Sequence, residues 1–255
     1  MGLFDKKYCD VCGEKIGLLG NRKLEDGNLC KHCARKLSYW FDERRHSTVD
    51  QIKAQLAYRE ENQQKVDEFR ATMTLGRGTK VLVNEDTRQF MVVRTGNIRE
   101  ENPDIIDFSQ VTGCDFDIDE DSGEEKRRLD DGKEVSYNPP HYYWEYDFDM
   151  TIHVNHPYFD DMKFRLNSSS VRIEHVGRVS SFGGGFNPRN HSDYVEYENI
   201  GNEIKSVLTD MRTSERERAA EAAAPKSPVV CPFCGATTMP DANGCCEYCG
   251  APVGK

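Results

Sequence analysis

Eight of the ten cysteines in this chain form four Cys-x-x-Cys pairs, two near each end. The first end reads Cys9-Asp10-Val11-Cys12-Gly13 and then Cys30-Lys31-His32-Cys33, with 17 residues between Cys12 and Cys30. The second reads Cys231-Pro232-Phe233-Cys234-Gly235 and then Cys246-Glu247-Tyr248-Cys249-Gly250, with 11 residues between Cys234 and Cys246. A two-residue gap lets both sulfurs of one tight turn reach the same ion, and two such turns complete a tetrahedron. A glycine after the pair permits the left-handed turn that aims backbone N–H groups at the sulfurs. A closed shell of four thiolates leaves no open catalytic position and favours zinc. Two structural Zn²⁺ ions are therefore expected, one on Cys9, Cys12, Cys30 and Cys33, the other on Cys231, Cys234, Cys246 and Cys249. Structural zinc supplies about 10–16 kcal/mol of apparent folding energy to modules too small to bury a core.

Three other uses of cysteine fit less well. Disulfides belong to exported chains, and Met1 to Gly13 hold no apolar run of a secretory signal. A redox pair would sit beside a βαβ pattern, which is not evident. Rubredoxin-type iron uses similar turns, but the tail spans only about 25 residues and lacks an aromatic core around them. His32 lies between ligands and is expected to face solvent. Cys114 reads as an ordinary buried thiol. Cys245 sits beside Cys246, but only 246–249 keeps the ligand spacing.

The net charge of −10 is local. Residues 76–213 hold 16 basic and 27 acidic side chains, and the remainder is nearly neutral. Each ZnCys₄ centre adds −2, which brings the whole chain to about −14. That balance argues against a nucleic-acid coat, a phosphoinositide site or an anionic-membrane binder. The head is the mild exception, with 8 basic and 5 acidic residues in 1–40. No apolar run approaches the roughly 20 residues of a membrane span.

The middle changes period along its length. Thr48 and Gln51 make a capping-box pair. Ile52, Leu56, Val66, Phe69 and Met73 then follow helical spacing around a charged centre at Arg59–Lys65, which predicts a helix docked at both ends and solvated between. From Lys80 the period becomes two. Val81–Val83 and Phe90–Val93 flank the turn Asn84-Glu85-Asp86-Thr87. Strands are also predicted at 105–108, at 114–119, at 142–154, at 162–166 and at 171–173. Trp144, Tyr146, Phe148, Met150, Ile152 and Val154 share one face of the clearest of them. Asp193 and Glu196 form a second capping-box pair. Tyr197, Ile200, Ile204, Val207, Leu208 and Met211 then line one face of a terminal helix.

No catalytic constellation emerges. The acidic alternation at 115–121 fails the EF-hand pattern, because Glu120 or Ser122 stands where glycine is needed and Lys126 or Arg128 where glutamate is. His153 and His156 precede Pro157 without a helix or a zincin glutamate. Gly183-Gly184-Gly185-Phe186 precedes no phosphate-loop lysine.

Three resemblances refine this outline. The head, with Cys9-x-x-Cys12-Gly13, Gly17-Leu18-Leu19-Gly20, Lys23-Leu24, Asp26-Gly27 and Cys30-Lys31-x-Cys33, resembles a Gram-positive bacterial domain, domain of unknown function 4428. Leu37-Ser38 and Ser47 to Lys53 look like its continuation, over about the first 75 residues. The resemblance implies a bacterial cytosolic chain with Cys9, Cys12, Cys30 and Cys33 as ligands, and no known activity. The tail is similar to zinc ribbons, with Cys245 standing where an aromatic is more usual. Seven strands closed by one helix, with the segment Ile106–Gly113, resemble pleckstrin-homology-like (PH-like) and GRAM-like domains.

The expected fold is thus α+β and multidomain. It has a four-cysteine module at 1–40, a connecting amphipathic helix at 41–75 and an acidic antiparallel PH-like barrel or sandwich with its C-terminal helix at 76–213. A flexible linker at 214–228 and a zinc ribbon at 229–255 complete it. The expected role is a non-enzymatic, cytoplasmic adaptor for protein partners. Nucleic-acid binding through the zinc modules is the alternative, and an enzyme with an unrecognised site in the body is the third.

Overall fold

Two-residue strands cannot bury a core of their own, and the cysteine-rich head consists of little else. In the computed structural model, which describes residues 6–177, 186–223, 228–241 and 244–253, β1 (Lys7–Tyr8) pairs with β2 (Lys15–Ile16), and β3 (Arg22–Lys23) with β4 (Asn28–Leu29). A short helix α1 (Lys31–Arg35) follows. The head closes its small core with help from α2 (Val49–Glu68): Ile16, Leu24, Leu29 and Leu37 cluster with Ile52 and three cysteines. The start of α2 is the capping box read from sequence. Thr48 Oγ1 accepts from Gln51 N–H and Gln51 Oε1 from Thr48 N–H.

The far end and the centre of α2 differ from expectation. The helix stops at Glu68, and Phe69 already has extended backbone. Met73, which fits the helical spacing, instead pairs with Val83 in a sheet. The charged centre is solvated only in part: Glu60, Glu61, Gln64 and Lys65 are exposed, but the buried stripe is Ile52, Gln55, Arg59, Asn62 and Val66. Its 3-4-3-4 spacing marks a continuous helical face, and it was hidden because its middle residues are polar.

The body holds two antiparallel sheets. The first is ordered β5 (Met73–Leu75), β6 (Lys80–Asn84), β7 (Gln89–Val93), β8 (Ile106–Asp107), with a short helix α3 (Ile98–Glu101) before β8. In the second, β9 (Val111–Arg128) runs along β10 (Glu134–His156). The other edge of β10 carries β11 (Phe159–Arg165) near one end and β12 (Val171–Val176) near the other. Tyr146, Phe148, Met150, Ile152 and Val154 of β10 are buried, and Leu75, Val81, Val83, Phe90, Val92 and Ile106 of the first sheet join the same core. This is an α+β body of two sheets sharing one core. Among the described residues no strand pairing joins the two sheets into a closed barrel; the turn Phe108–Gln110 separates β8, an edge of the first sheet, from β9 of the second.

Helix α4 (Ser192–Ala223) adds Tyr194, Ile204 and Leu208 to that core. It starts two residues early for the second capping box. Val195 N–H already bonds His191 C=O, so Asp193 lies inside the first turn, and Glu196 pairs with Arg77 at 2.7 Å. Gly201 is required by close approach, since a Cβ there would stand 2.2 Å from the Phe116 ring.

The chain divides into two compact units, Met1–Arg212 and Thr213–Lys255. Residues 214–223, whose sequence reads as a helix continuation fraying into the Pro-bounded linker, continue α4; 224–227 and the glycines 183–185 lie outside the described residues. In the second unit β13 (Val229–Val230) pairs with β14 (Thr237–Thr238).

Candidate metal centres and a buried polar junction

The eight cysteines come together in the two groups that their spacing implies. Within each group one sulfur per residue lies inside 4.8 Å of the others. Individual separations are 3.7 Å for Cys12–Cys30, 3.5 Å for Cys231–Cys249 and 3.8 Å for Cys234–Cys246. Bonds of about 2.3 Å from a tetrahedral zinc to sulfur give S–S edges of about 3.8 Å. All ten cysteines are free thiols. Each group could therefore hold one metal ion, and its donor set fits zinc. Cys246, not Cys245, joins the second group. Exposed His32 joins neither.

Three of the four turns share one geometry. Gly13 N–H bonds Cys9 C=O, Gly235 bonds Cys231 and Gly250 bonds Cys246, each at 2.8 Å, with the glycine φ between +69° and +75°. The fourth turn is different. Cys30 is the N-cap of α1, and its sulfur accepts from Cys33 N–H at 3.3 Å. The sequence carried this distinction, since Ala34 replaces the glycine found after the other three pairs.

The acidities within each group diverge. Burial raises the Cys9 thiol, but backbone N–H groups from Cys12, Cys30 and Val11 outweigh it and hold the pKa at about 7. Burial likewise raises Cys246, which N–H groups from Cys249 and Tyr248 bring down to about 6. Burial and the neighbouring thiols push Cys33 well up. Crowded sulfurs cannot all ionise without a cation among them, so metal binding here releases protons.

Sequence reasoning missed a second constellation, where the head meets the body. Asp104, on the approach to β8, is almost wholly buried. Its carboxylate accepts from Arg59 Nη1 at 2.6 Å, Ser38 Oγ at 2.7 Å and Tyr58 OH at 3.2 Å. His156 Nε2 lies 3.1 Å from the same Tyr58 hydroxyl. Arg59 also donates to the carbonyls of Lys36 and Asn102. Asn62 bonds Asn102 and Pro103 and accepts from Ile105 N–H. Burial lowers the His156 pKa and raises that of Tyr58. Trp40 carries the junction into the body core, 6.3 Å from the Phe164 ring. The only sequence signal was the helical stripe itself, legible once polar residues are allowed on it.

The remaining singled-out residues lie apart. Cys114 is half-buried beside Met150, and burial pushes its pKa up to about 11. His153 stands on the wet face of β10 between Asp161, at 2.6 Å, and Asp115, at 2.9 Å. His156 also lines a cleft of about 860 Å³ with Trp40, His46, Tyr158, Asp160 and Asp161. Among the described residues no helix is long and apolar enough to cross a membrane.

Comparison with protein families matches residues 7–55 to a family described as Domain of unknown function (DUF4428). The match covers the head and the first turns of α2. Neither a curated protein nor a solved structure matches the chain.

Proposed function

We propose that this chain is a non-enzymatic, cytosolic adaptor whose two zinc centres are structural and whose ribbon contacts a protein partner. The carrying observation is the pair of four-sulfur groups, each already complete for a tetrahedral ion. Two aromatics support the ribbon as a contact surface. Phe233 and Tyr248 occupy matching positions in its two turns, and each is 71% exposed. Exposed aromatics are the side chains that anchor protein interfaces. The body supports a PH-like reading through two four-stranded antiparallel sheets and a C-terminal helix around one core. The one serine lining the 860 Å³ cleft, Ser47, donates its hydroxyl to Glu43 C=O at 2.9 Å, which supports a non-catalytic reading of that cleft. Bacterial cytosol rests on the head's family resemblance.

Elemental analysis of protein purified without added metal tests the central claim. The expected content is two zinc per chain. A content near zero with disulfide-linked cysteines sinks it. Pull-down with the intact chain and with Phe233→Ser/Tyr248→Ser tests the partner claim, and capture unaffected by that double change removes the ribbon from the interface.

A further inference from the structure

We infer that the head carries a docking site for an anionic lipid bilayer, formed by the Leu18–Leu19 loop and the basic pocket at its base. Among the described residues, Leu18 and Leu19 are the most exposed large apolar residues in the head, at 89% and 90%. They occupy the two corners of a turn between β2 and β3, closed by Gly20 N–H bonding Gly17 C=O at 3.0 Å. Corner side chains of such a turn project outward, and two adjacent uncovered leucines cost solvation energy that a globular head has no reason to retain.

Charge decides the kind of partner. From Lys15 to Leu24 there are three basic residues and no acidic one. Arg22 reaches back to the carbonyl of Leu19 at 3.5 Å, so its guanidinium lies beside the leucines. Arg44 donates to the carbonyl of Lys23 at 2.7 Å and brings Arg45 with it. Arg22, Lys23, Arg44 and Arg45, together with Asn21 and Glu25, line a pocket of about 660 Å³. Among the described residues no carboxylate lies within ion-pair distance of those four cations, although most other arginines of this unit are paired. Burial, with Arg45 and Arg22 close by, holds Arg44 below the usual arginine range. A pocket of uncompensated cations attracts phosphate groups. An apolar tip beside it fits an acyl layer under those phosphates, whereas a nucleic acid would leave both leucines in water.

Taken whole, the charge of about −14 with both sites filled argues against a membrane binder, but most of the excess lies in residues 76–213, and exposed charges are screened beyond about 10 Å.

Vesicle flotation of the zinc-loaded full chain tests the inference. The probes are vesicles of phosphatidylcholine alone and of phosphatidylcholine with about one third phosphatidylglycerol. Binding is expected only to the second, and raised salt should weaken it. Leu18→Ser/Leu19→Ser should lower the partition coefficient at least tenfold, and Arg22→Gln or Arg45→Gln about fivefold each. Unchanged zinc content and melting would show that these variants fold. With Leu18→Trp, emission should shift to the blue on anionic vesicles, which reports burial of the tip rather than adsorption alone. Three outcomes overturn the proposal. They are no binding by the wild-type chain, vesicle binding indifferent to the two leucines, and salt-sensitive binding to duplex DNA without binding to vesicles.

Discussion

The head and the ribbon use the same four ligands and differ in what else holds them. In the head, Cys9, Cys30 and Cys33 belong to a hydrophobic cluster with Leu24, Leu29 and Ile52, and the polar junction at Asp104 fastens the head to the body. In the second unit no hydrophobic cluster contains any described residue beyond Arg212. Among its described residues the tail has one hairpin of two-residue strands, an isolated Cys245–Pro252 bridge and four sulfurs. One module thus has a four-sulfur site and a core, while the other has a four-sulfur site alone. A short linear module can fold independently only if its metal supplies nearly all of its stability.

Chelation gives the largest expected effect and the sharpest break in this comparison. Removing zinc should forfeit about 10–16 kcal/mol of apparent stability at the ribbon and leave it unfolded. Cys231→Ser/Cys234→Ser should do the same while the melting of the body stays unchanged. Cys9→Ser/Cys12→Ser should instead lower the body's melting temperature, because head and body share Trp40 and the Asp104 network. Amide exchange followed by mass spectrometry reads both units in one sample. If the two double variants behave alike, the difference in anchoring is not real.

The Asp104 junction comes next. Asp104→Asn keeps the shape of the side chain and leaves the Arg59 charge buried without its counter-ion, which costs about 3–5 kcal/mol. Denaturant unfolding checks it, and a loss below about 1 kcal/mol would mean that water reaches the pair. No residue of the ribbon should reproduce this effect. Asp104 was invisible in the sequence for a physical reason. A buried polar side chain is recognised by its partners, and those partners lie at Ser38, Tyr58 and Arg59, 45 or more positions away.

What could be read in advance had local causes. The cysteine groups follow from spacing within tight turns, the start of α2 from a reciprocal cap, and the inner face of β10 from strict alternation. The errors arose where tertiary contacts overrode local pattern. Met73 has helical spacing but finds Val83 across a sheet. Arg59 and Asn62 interrupt an apolar stripe but have bonding partners beneath them. Asp193 has the chemistry of a cap, yet the helix begins before it. Barrel closure depends on whether the edges of the two sheets pair, which no local pattern encodes.

Gln55 sharpens the comparison within α2 itself. It lies on the same stripe as Arg59 and is fully buried, but neither amide atom has a hydrogen-bond partner among the described residues. A buried amide without partners costs about 1–3 kcal/mol. Gln55→Met keeps the volume and removes that penalty, so it should raise stability by about 1 kcal/mol. A decrease in the unfolding midpoint would show that Gln55 is satisfied in solution. Stabilising one helix position of the head while Asp104→Asn destabilises its neighbour would separate packing from polar bonding in the same segment.

The smallest expected effect lies on the wet face of the body. Both ring nitrogens of His153 point at carboxylates, so the ring serves best as a doubly protonated donor. Hydrogen bonds to Asp115 and Asp161 raise its pKa, and the same contact lowers that of Asp161. A raised histidine pKa contributes stability that is fully present below the unfolded value of about 6.5 and is lost as pH rises through the folded value. The lowered Asp161 pKa contributes above about 4 and is lost as pH falls through its folded value. Wild type should therefore exceed His153→Gln most between about pH 4.5 and 6, by no more than about 1 kcal/mol because the groups are partly exposed. The difference should shrink toward pH 9. A difference that grows with pH would mean that the ring is neutral, held by one carboxylate and repelled by the other.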